Sequence, residues 1–289
     1  MARNHTLEFL SAPGGMALST LAAVKEEINL GLDTSNDAFL TRLLQKASGE
    51  VEGQLGYSLY RSLVRESFAG AGGTELQLDR LPVRLLSEVK YLGVAQTLAS
   101  FDILSPERGV LVAVGGWTAT VRRDWAVSFT GGWLLPSDDR ADAGFTAAAV
   151  DKSFNDSAGR FPLLLPGEWV RAGDGWVAGN QGLHRVVTRT ASKIIVETTL
   201  VDDVTANVKA LGFSNLPAPL ERACLEYVKI RFHGRDRDPA LKSGVLEGFV
   251  DETFDVDAAL KRIKADLAPF VLAEAEEVVE KLPALFGMP

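Results

Sequence analysis

The spacing of apolar residues changes twice along the chain. Between residues 19 and 56 the apolar positions recur with a period of about 3.6, which is typical of amphipathic helices. From residue 59 onward apolar and polar residues alternate in short runs, which predicts strands. Helical spacing returns at Leu216. This order of helices, strands and helices predicts an α+β protein with a helical bundle and an antiparallel β-sheet section.

Helices are predicted near both ends of the chain. Ser19 is the expected N-cap of the first helix, side chains from Asp33 to Asp37 are expected to cap the second, and Gly56 to end it. A third helix follows two early prolines, which helices tolerate in the first turn. Two more short helices are separated by Pro269. The segments, in order, are STLAAVKEEINLG, DTSNDAFLTRLLQKASGEVEGQLGYSL, LPAPLERACLEYVKIRFHGRDRD, DVDAALKRIKADLAPF and VLAEAEEVVEKLPALF.

Six short segments between the helices predict an antiparallel sheet of about five or six strands. The glycine-rich stretch at residues 70–73 is followed by strand-like sequence, whereas a phosphate-binding loop is followed by a helix. We therefore expect a hairpin turn there. The strand segments are LYRSLVRESFA, TELQLDRL, SEVKYLG, GVLVAV, TATVRR and AVSFTGGW.

Residues 137–214 lack helical periodicity and predict an inserted, small all-β, barrel-like subdomain. Its strands are expected in GFTAAAV, GEWVRAG, LHRVVTRT and SKIIVETTL, with turns at SFNDSAGRF, GDGW and AGNQG. Because no regular aromatic ladder is present, we expect Trp169 and Trp176 to be core residues of this subdomain. Exposed tryptophans would instead favour a protein that binds carbohydrate or another surface.

The two ends of the chain have a different character. Residues 1–16 are expected to form a flexible N-terminal arm, since they lack the continuous apolar run of a secretion signal. From Val245 onward ten acidic residues oppose four basic ones, so the formal charge of −8 is concentrated at the C-terminal end. Tight nucleic-acid binding needs clustered Lys and Arg, which this chain lacks. No apolar run is long enough to span a membrane, and no membrane partner is expected.

The sequence contains no recognisable catalytic or metal-binding set. His5, His184 and His233 are isolated, and the single cysteine, Cys224, lies at an apolar helical position. No GxSxG nucleophile motif occurs. Adjacent carboxylates lie in expected turns at residues 138–139 and 202–203, where solvated aspartates are common. The sequence therefore predicts no enzyme, no catalytic residue, no metal and no cofactor, although a cleft that joined Asp138 or Asp139 to His184 would indicate a hydrolase.

The order of these segments resembles the head-to-tail connector (adaptor) family of tailed bacteriophages. Residues 17–136 and 215–270 carry the resemblance as an adaptor core. Its most specific parts are LDRLPVRLLSEVKYLG and the helix from Ala223 to Pro239 with its charged RDRDP ending. Residues 137–214 and 271–289 depart from the pattern as an insertion and a C-terminal extension. The insertion itself resembles small β-domains of phage structural proteins, with Asn180 and Gly182 in the turn before the last hairpin.

The resemblance implies a structural role in the virion neck. Members form a ring, typically dodecameric, between the portal protein and the stopper or tail-completion protein, and double-stranded DNA passes through the lumen during ejection. Such a protein is made in the host cytoplasm. The insertion is expected to decorate the outer rim or to widen contact with a neighbour. The candidate portal-contacting residues of the C-terminal extension are Phe270, Val271, Val278, Leu282, Leu285 and Phe286.

Overall fold

The computed structural model describes residues 5–11, 16–70, 72–234 and 256–271. The fold is α+β, and its buried residues form three separate cores. Within this part of the chain the helices are α1 (Leu21–Glu27), α2 (Asp37–Leu55), α3 (Ala218–Gly234) and α4 (Val256–Leu267). The strands are β1 (His5–Phe9), β2 (Ser62–Phe68), β3 (Glu75–Gln77), β4 (Val83–Tyr91), β5 (Val94–Ala95), β6 (Phe101–Ser105), β7 (Val110–Ala113), β8 (Trp125–Gly131), β9 (Arg140–Asp142), β10 (Phe145–Ala148), β11 (Ser153–Asp156), β12 (Trp169–Ala172), β13 (Gly182–Arg189), β14 (Lys193–Val196) and β15 (Lys209–Gly212).

The four helices pack around one apolar core, which we call the helical core. Positions at helical spacing on α2 and α3 face each other there, since residues three and four apart share a helix face. The core also includes residues from the connections, among them Leu59, Tyr60, Trp133 and Leu135. Its fully buried helical members are Val24, Leu40, Ala47, Val51, Leu220, Ala223, Cys224 and Ile263.

The helix ends differ in detail from the expected caps. Thr20, not Ser19, is the N-cap of α1, and its Oγ1 accepts a hydrogen bond from the Ala23 amide at 3.1 Å. Ser19 is instead buried and donates to Glu221 on α3 at 2.8 Å. Asn36 caps α2 without a side-chain hydrogen bond. Gly56 ends α2 as predicted, with a φ of 79° that glycine adopts without steric cost.

The five-stranded sheet has the order β1-β2-β8-β4-β5 and is antiparallel throughout. A three-stranded sheet, β3-β7-β6, shares a second apolar core with it, so the two sheets face each other. We call this the sheet core. Because β2 and β3 belong to different sheets, the glycine-rich stretch at residues 70–73 connects two sheets, and the expected hairpin turn there is wrong.

One of the expected strands is absent, and the strands β5 and β6 were not predicted. The segment TATVRR forms no strand: the Thr118 carbonyl accepts from the Trp125 indole at 3.1 Å, and Thr120 Oγ1 accepts from the Gly70 amide at 3.0 Å. These irregular hydrogen bonds satisfy backbone groups that a ladder would otherwise pair. The edge strand β6, whose alternate residues are only half-buried, has too weak a pattern to be predicted.

Seven strands between residues 140 and 212 form the third unit, which we call the inserted barrel. Their order is β10-β11-β14-β13-β12-β15-β9. The two outermost strands, β9 and β10, are consecutive in the chain and only Ala143 and Gly144 separate them. The sheet must therefore curl until its edges meet, which gives the predicted barrel-like shape. The expected turn SFNDSAGRF is only partly correct, since its first residues form β11.

The core of the inserted barrel contains only residues between Leu134 and Phe213. It includes one buried ion pair, in which Lys209 Nζ lies 3.4 Å from Asp203 Oδ1 and both side chains are fully buried. Lys209 also donates to the carbonyl oxygens of Phe145, at 3.0 Å, and Thr205. These extra acceptors compensate for the desolvation of the ammonium group.

Part of the expected flexible N-terminal arm is ordered. His5–Phe9 form β1, which pairs with β2 from His5↔Phe68 to Phe9↔Val64. Its main-chain groups cover the edge of β2, which would otherwise expose unpaired donors and acceptors. Part of the segment for which the sequence predicts a flexible arm thus forms a sheet strand.

Candidate functional site

The two chain segments that connect the inserted barrel to the rest of the molecule lie side by side. The Leu134 amide donates to Asn215 Oδ1 at 2.8 Å, and the Asn215 amide donates to the Leu134 carbonyl at 3.1 Å. Neighbouring residues of extended chain face opposite sides, so Leu134 packs into the barrel core while Leu135 packs into the helical core. The two crossing segments are thus fixed to each other and to both cores.

A buried ion pair holds the barrel against the start of the five-stranded sheet. The Arg61 side chain is 2% exposed and makes a bidentate contact with Glu168, with Nη2–Oε1 at 2.8 Å and Nη1–Oε2 at 3.1 Å. Arg61 Nε also donates to the Gly132 carbonyl at 2.9 Å. Glu168 further accepts from the Leu165 amide at 2.8 Å. This planar pairing fixes orientation as well as distance.

A second arginine lies under the N-terminal strand. Arg80 is 1% exposed, its guanidinium lies 4.4 Å from the centre of the Tyr60 ring and 5.3 Å from that of Phe9, and it donates to the Tyr60 carbonyl. Burial lowers the pKa of Arg80, opposed by the nearby Tyr60, Glu52 and Glu66. The aromatic faces provide part of the compensation that a buried cation needs.

No sequence pattern indicates a special role for these two arginines. Arg61 and Glu168 are 107 residues apart, and each lies in a strand-like run among other charged residues. Only the tertiary fold brings Arg61 and Glu168 together, so their ion pair is not predictable from local sequence.

Ion pairs connect the helices across the helical core. Arg222 Nε on α3 lies 2.7 Å from Asp266 on α4, and Lys229 lies 3.1 Å from Glu27 on α1. Arg231 pairs with Glu50 on α2. These pairs are largely at the surface, so each contributes little stability by itself. They fix the relative register of the four helices.

The only cysteine has a structural setting. Cys224 is fully buried in the helical core, 3.5 Å from Ser48 Oγ. Burial raises the pKa of its thiol to about 12, so it is protonated and unreactive at neutral pH.

The structure places two of the candidate portal-contacting residues. Phe270 packs partly against the helical core, and its carbonyl accepts a hydrogen bond from the Tyr57 hydroxyl at 2.9 Å. Val271 is 48% exposed. The described chain thus leaves the helical core at this point. The remaining candidates, Val278, Leu282, Leu285 and Phe286, and the last expected helix lie outside the described residues.

The adjacent carboxylates have local structural partners. Asp138 accepts from the Leu135 amide at 2.8 Å, and Asp139 from the Phe213 amide at 2.6 Å. Burial raises the pKa of Asp139. Asp202 accepts from the Ala149 amide at 2.7 Å, and Asp203 lies in the barrel core beside Lys209. Each of the four stabilises a turn or a strand end.

The histidines are not brought together. His184 is buried in the barrel, where its Nε2 lies 2.8 Å from the Asn180 carbonyl oxygen and its ring meets Phe154 edge-on. His233 lies in the last turn of α3, and the His5 side chain is outside the described residues. Among the residues that the structure describes, no group of three or more His, Cys, Asp or Glu is placed to hold a metal ion.

The two candidate tryptophans of the insertion have opposite environments. Trp176 is 3% exposed in the barrel core, where its indole nitrogen donates to the Ala210 carbonyl at 2.9 Å. Trp169 is 55% exposed, so its expected core position is wrong. The reason is the alternation of β12, which directs Val170 and Ala172 inward and Trp169 and Arg171 outward.

Trp169 lies within a patch of apolar and basic residues on the outside of the barrel. Its partner across β13 is Arg185, and the next pair is Arg171 with Leu183. Leu183 is 57% exposed and Val187, two residues beyond Arg185, is 41% exposed. We call these five residues the Trp169 patch.

None of the helices in the described ranges is both long and apolar enough to cross a membrane.

No protein-family model matches the chain, and no curated protein matches it. Two solved structures resemble part of it: a chain in the neck of an empty gene transfer agent particle computed with C6 symmetry, and a chain in the virion of a native gene transfer agent particle. In each case the sequences are 22% identical, the TM-score is 0.36, and the likeness covers 46% of this chain and 77% of the other.

Proposed function

We propose that the chain is a structural protein of the neck of a tailed phage or phage-like particle, a head-to-tail connector (adaptor). The observation that supports this most is the helical core, whose four helices come from two chain segments that flank all the strands from β2 to β15. This is the order of pieces that resembles the connector family. The barrel branches from this arrangement at Leu134 and Asn215 and has its own core.

In the proposed assembly, copies of the chain form a ring, dodecameric as in that family. A ring requires a head-to-tail contact that repeats around an axis. The formal charge of −8 suits a lumen through which double-stranded DNA slides without being held. No catalytic step is part of this role, and the carboxylates and histidines described above serve the fold.

The C-terminal extension is proposed to dock onto the portal protein, while the stopper or tail-completion protein binds the opposite side of the ring. Phe270 is fixed to the helical core through Tyr57, and Val271 follows as an exposed apolar residue. The sequence beyond it supplies further apolar residues, Val278, Leu282, Leu285 and Phe286, between acidic ones.

Truncation tests the docking role. Deleting residues 271–289 is expected to leave the thermal unfolding midpoint unchanged and to abolish binding to the purified portal protein of the same particle in a pull-down. Changing Glu274, Glu276, Glu277 and Glu280 to Gln in the full chain is the matched control, and it should retain binding if apolar contacts dominate. Unfolding of the truncated chain would show that the segment belongs to the core.

One observation favours a second candidate, a protein that recognises carbohydrate or another surface. The Trp169 patch offers an exposed indole face beside two arginines, an arrangement on which a sugar ring can stack. Saturable glycan binding by the purified chain that is lost in Trp169→Ala but kept in Leu183→Ala would support recognition. Binding unchanged in both variants, or absent from the wild-type chain, would exclude it.

A further inference from the structure

The N-terminal strand β1 contributes to none of the three cores. Every described side chain from Thr6 to Leu10 is exposed, including Leu7 at 38%, Phe9 at 42% and Leu10 at 37%. By contrast, alternate residues of its partner β2 are buried. β1 is therefore attached to the sheet from outside.

Main-chain hydrogen bonds and a few surface contacts hold β1 in place. The ladder continues past the strand, where the Leu10 amide donates to the Leu63 carbonyl at 2.8 Å and Ser11 Oγ accepts from the Leu63 amide at 3.0 Å. Glu8 lies 3.4 Å from Arg65, and the Phe9 ring stacks on Tyr60 with centroids 5.9 Å apart. Since few of these contacts bury apolar area, the strand can separate while the cores remain intact.

The edge of β2 nevertheless needs a strand. Without one, the main-chain donors and acceptors on the side of β2 that faces away from β8 would be free, and Phe9 would no longer cover the buried guanidinium of Arg80. Any copy of the same chain carries both the strand and the edge that it fits. A strand from a neighbouring copy would satisfy the edge with the same register and the same side-chain contacts.

The connection between β1 and the helical core is long enough to reach a neighbour. Leu18 is fully buried, and its amide donates to Ser48 Oγ at 3.1 Å, which fixes the chain there. From Ser11 to Leu18 an extended chain spans up to about 24 Å at roughly 3.4 Å per residue. The intervening sequence includes Pro13, Gly14 and Gly15.

We propose that in the assembled ring β1 of each copy pairs with β2 of the next copy, so that the subunits are linked by strand exchange. The inference rests on the proposed ring and specifies one contact within it. Exchange conserves every contact of β1, and each copy donates one strand and receives one, which closes a head-to-tail ring.

A disulfide between opposed residues of β1 and β2 distinguishes pairing within one copy from pairing between neighbouring copies. Thr6 on β1 lies opposite Ser67 on β2, and opposed residues in an antiparallel pair are close enough for a disulfide. The Thr6→Cys/Ser67→Cys double variant is assembled, oxidised and denatured without reductant. Cys224 is buried and protonated in the folded chain, so it does not compete during oxidation, and alkylation of free thiols during denaturation keeps it from exchanging afterwards.

Strand exchange predicts a ladder of covalent dimers and larger multimers from the double variant. It also predicts a covalent dimer when separately tagged Thr6→Cys and Ser67→Cys chains are coexpressed. The matched control pairs Thr6→Cys with Ser87→Cys, an exposed residue on β4, which is not adjacent to β1, and it should give no ladder. A ring that forms while the double variant yields only monomers with an internal disulfide overturns strand exchange and leaves the ring standing. Absence of any oligomer overturns both.

Deletion of residues 1–11 provides a second measurement. Exchange predicts a chain that keeps its secondary structure by circular dichroism but sediments as a monomer under conditions where the full chain is oligomeric. A synthetic peptide of residues 1–11 should bind the shortened chain, and the same peptide with Phe9→Ala should bind more weakly. A shortened chain that still forms the full ring contradicts the proposal.

Discussion

Arg61 is the residue on which attachment of the inserted barrel most depends. Its guanidinium is buried between the sheet and the barrel and has a bidentate carboxylate partner in Glu168 and carbonyl partners at Gly132 and Leu163. A buried ion pair adds little net stability compared with apolar residues of the same volume, but removing one partner leaves an uncompensated charge. The pair therefore fixes the geometry of the junction more than it adds to the stability of the fold.

Glu168→Gln tests this reading. The substitution keeps the shape of the side chain but leaves the Arg61 charge unpaired, so we expect the free energy of unfolding to fall by about 3 kcal/mol. Glu197→Gln is the control, because Glu197 pairs with Arg185 at 3.2 Å while both side chains are half-exposed; its cost should stay below about 1 kcal/mol. Equal losses in urea titrations of the two variants would contradict the account.

Leu92 is a residue whose backbone conformation does not suit its side chain. It has a φ of 50° and is followed by Gly93 at 79° in the two-residue turn between β4 and β5, where Asn-Gly is the favoured pair. The left-handed conformation costs a leucine about 1–2 kcal/mol, and asparagine tolerates it better.

Leu92→Asn should therefore raise the free energy of unfolding by about 1 kcal/mol. Leu104→Asn is the matched control, because both leucines are 62% exposed and Leu104, at a bulge of β6, has no positive φ that asparagine would relieve. Thermal or urea unfolding of both variants measures the difference. A loss of stability in Leu92→Asn would mean that the leucine makes a contact that outweighs its strain.

Sequence patterns gave the environment of Trp176 but not that of Trp169. Both lie in glycine-rich, strand-like sequence, and which tryptophan faces inward depends on the register of β12, where Val170 occupies the inner position. A shift of one residue in register reverses every side chain of a strand. Whether an aromatic residue in a short strand is buried therefore depends on the register in which that strand pairs with its neighbours.

At the scale of elements, long periodic segments were predicted better than short ones. The apolar stripe from Leu40 to Leu55 and the stop at Gly56 predicted α2, because the pattern repeats over several turns of this nineteen-residue helix. The shorter strand-like segment TATVRR carried too few repeats, and its threonines hydrogen-bond in a loop. β9 and β15, with three and four residues, have no pattern that a sequence could reveal.

The turn after β11 is stabilised by one carboxylate. Asp156 accepts hydrogen bonds at 3.0 Å from the amides of Ala158 and Arg160 and from the Arg160 side chain. Burial acts to raise the pKa of Asp156, but these hydrogen bonds outweigh it and the pKa is lowered overall. Its contribution is therefore complete above its unfolded pKa of about 3.9 and is lost as the pH falls through the lower folded value.

Asp156→Asn should remove this pH dependence. The free energy of unfolding of the wild-type chain is expected to decrease more steeply below about pH 4 than that of the variant, since only the wild type takes up a proton at this site on unfolding. Urea titrations across pH 2.5 to 7, the interval that brackets the unfolded pKa of about 3.9, measure both slopes. Parallel curves would show that the carboxylate charge does not stabilise the turn.

In the whole molecule, few contacts join the helical core, the sheet core and the core of the inserted barrel. The inserted barrel begins and ends at Leu134 and Asn215, which hydrogen-bond to each other, and its core includes no residue of the helices. The change of periodicity at residues 137–214 made an inserted β-subdomain predictable. The side chains that join it to the rest, Arg61 and Glu168, were not predictable because their pairing is non-local.

Removing the insertion tests the independence of the remaining cores. Replacing residues 137–213 with a short glycine linker should leave a chain that folds cooperatively, because neither the helical core nor the sheet core includes a residue of the barrel. Removal of the barrel exposes the Arg61 guanidinium to solvent, so adding Arg61→Met should change the free energy of unfolding by no more than about 0.5 kcal/mol. Calorimetric unfolding compares the two variants, and the absence of a cooperative transition in both would show that the barrel is required for the other cores.

In the proposed role, copies of this chain form a closed ring in a virion neck. Electron microscopy of the purified chain, alone and mixed with the portal protein of the same particle, shows whether such a ring forms. We expect rings with a central channel wide enough for double-stranded DNA, stacked coaxially on the portal when it is present. A chain that remains a compact monomer under both conditions would contradict it.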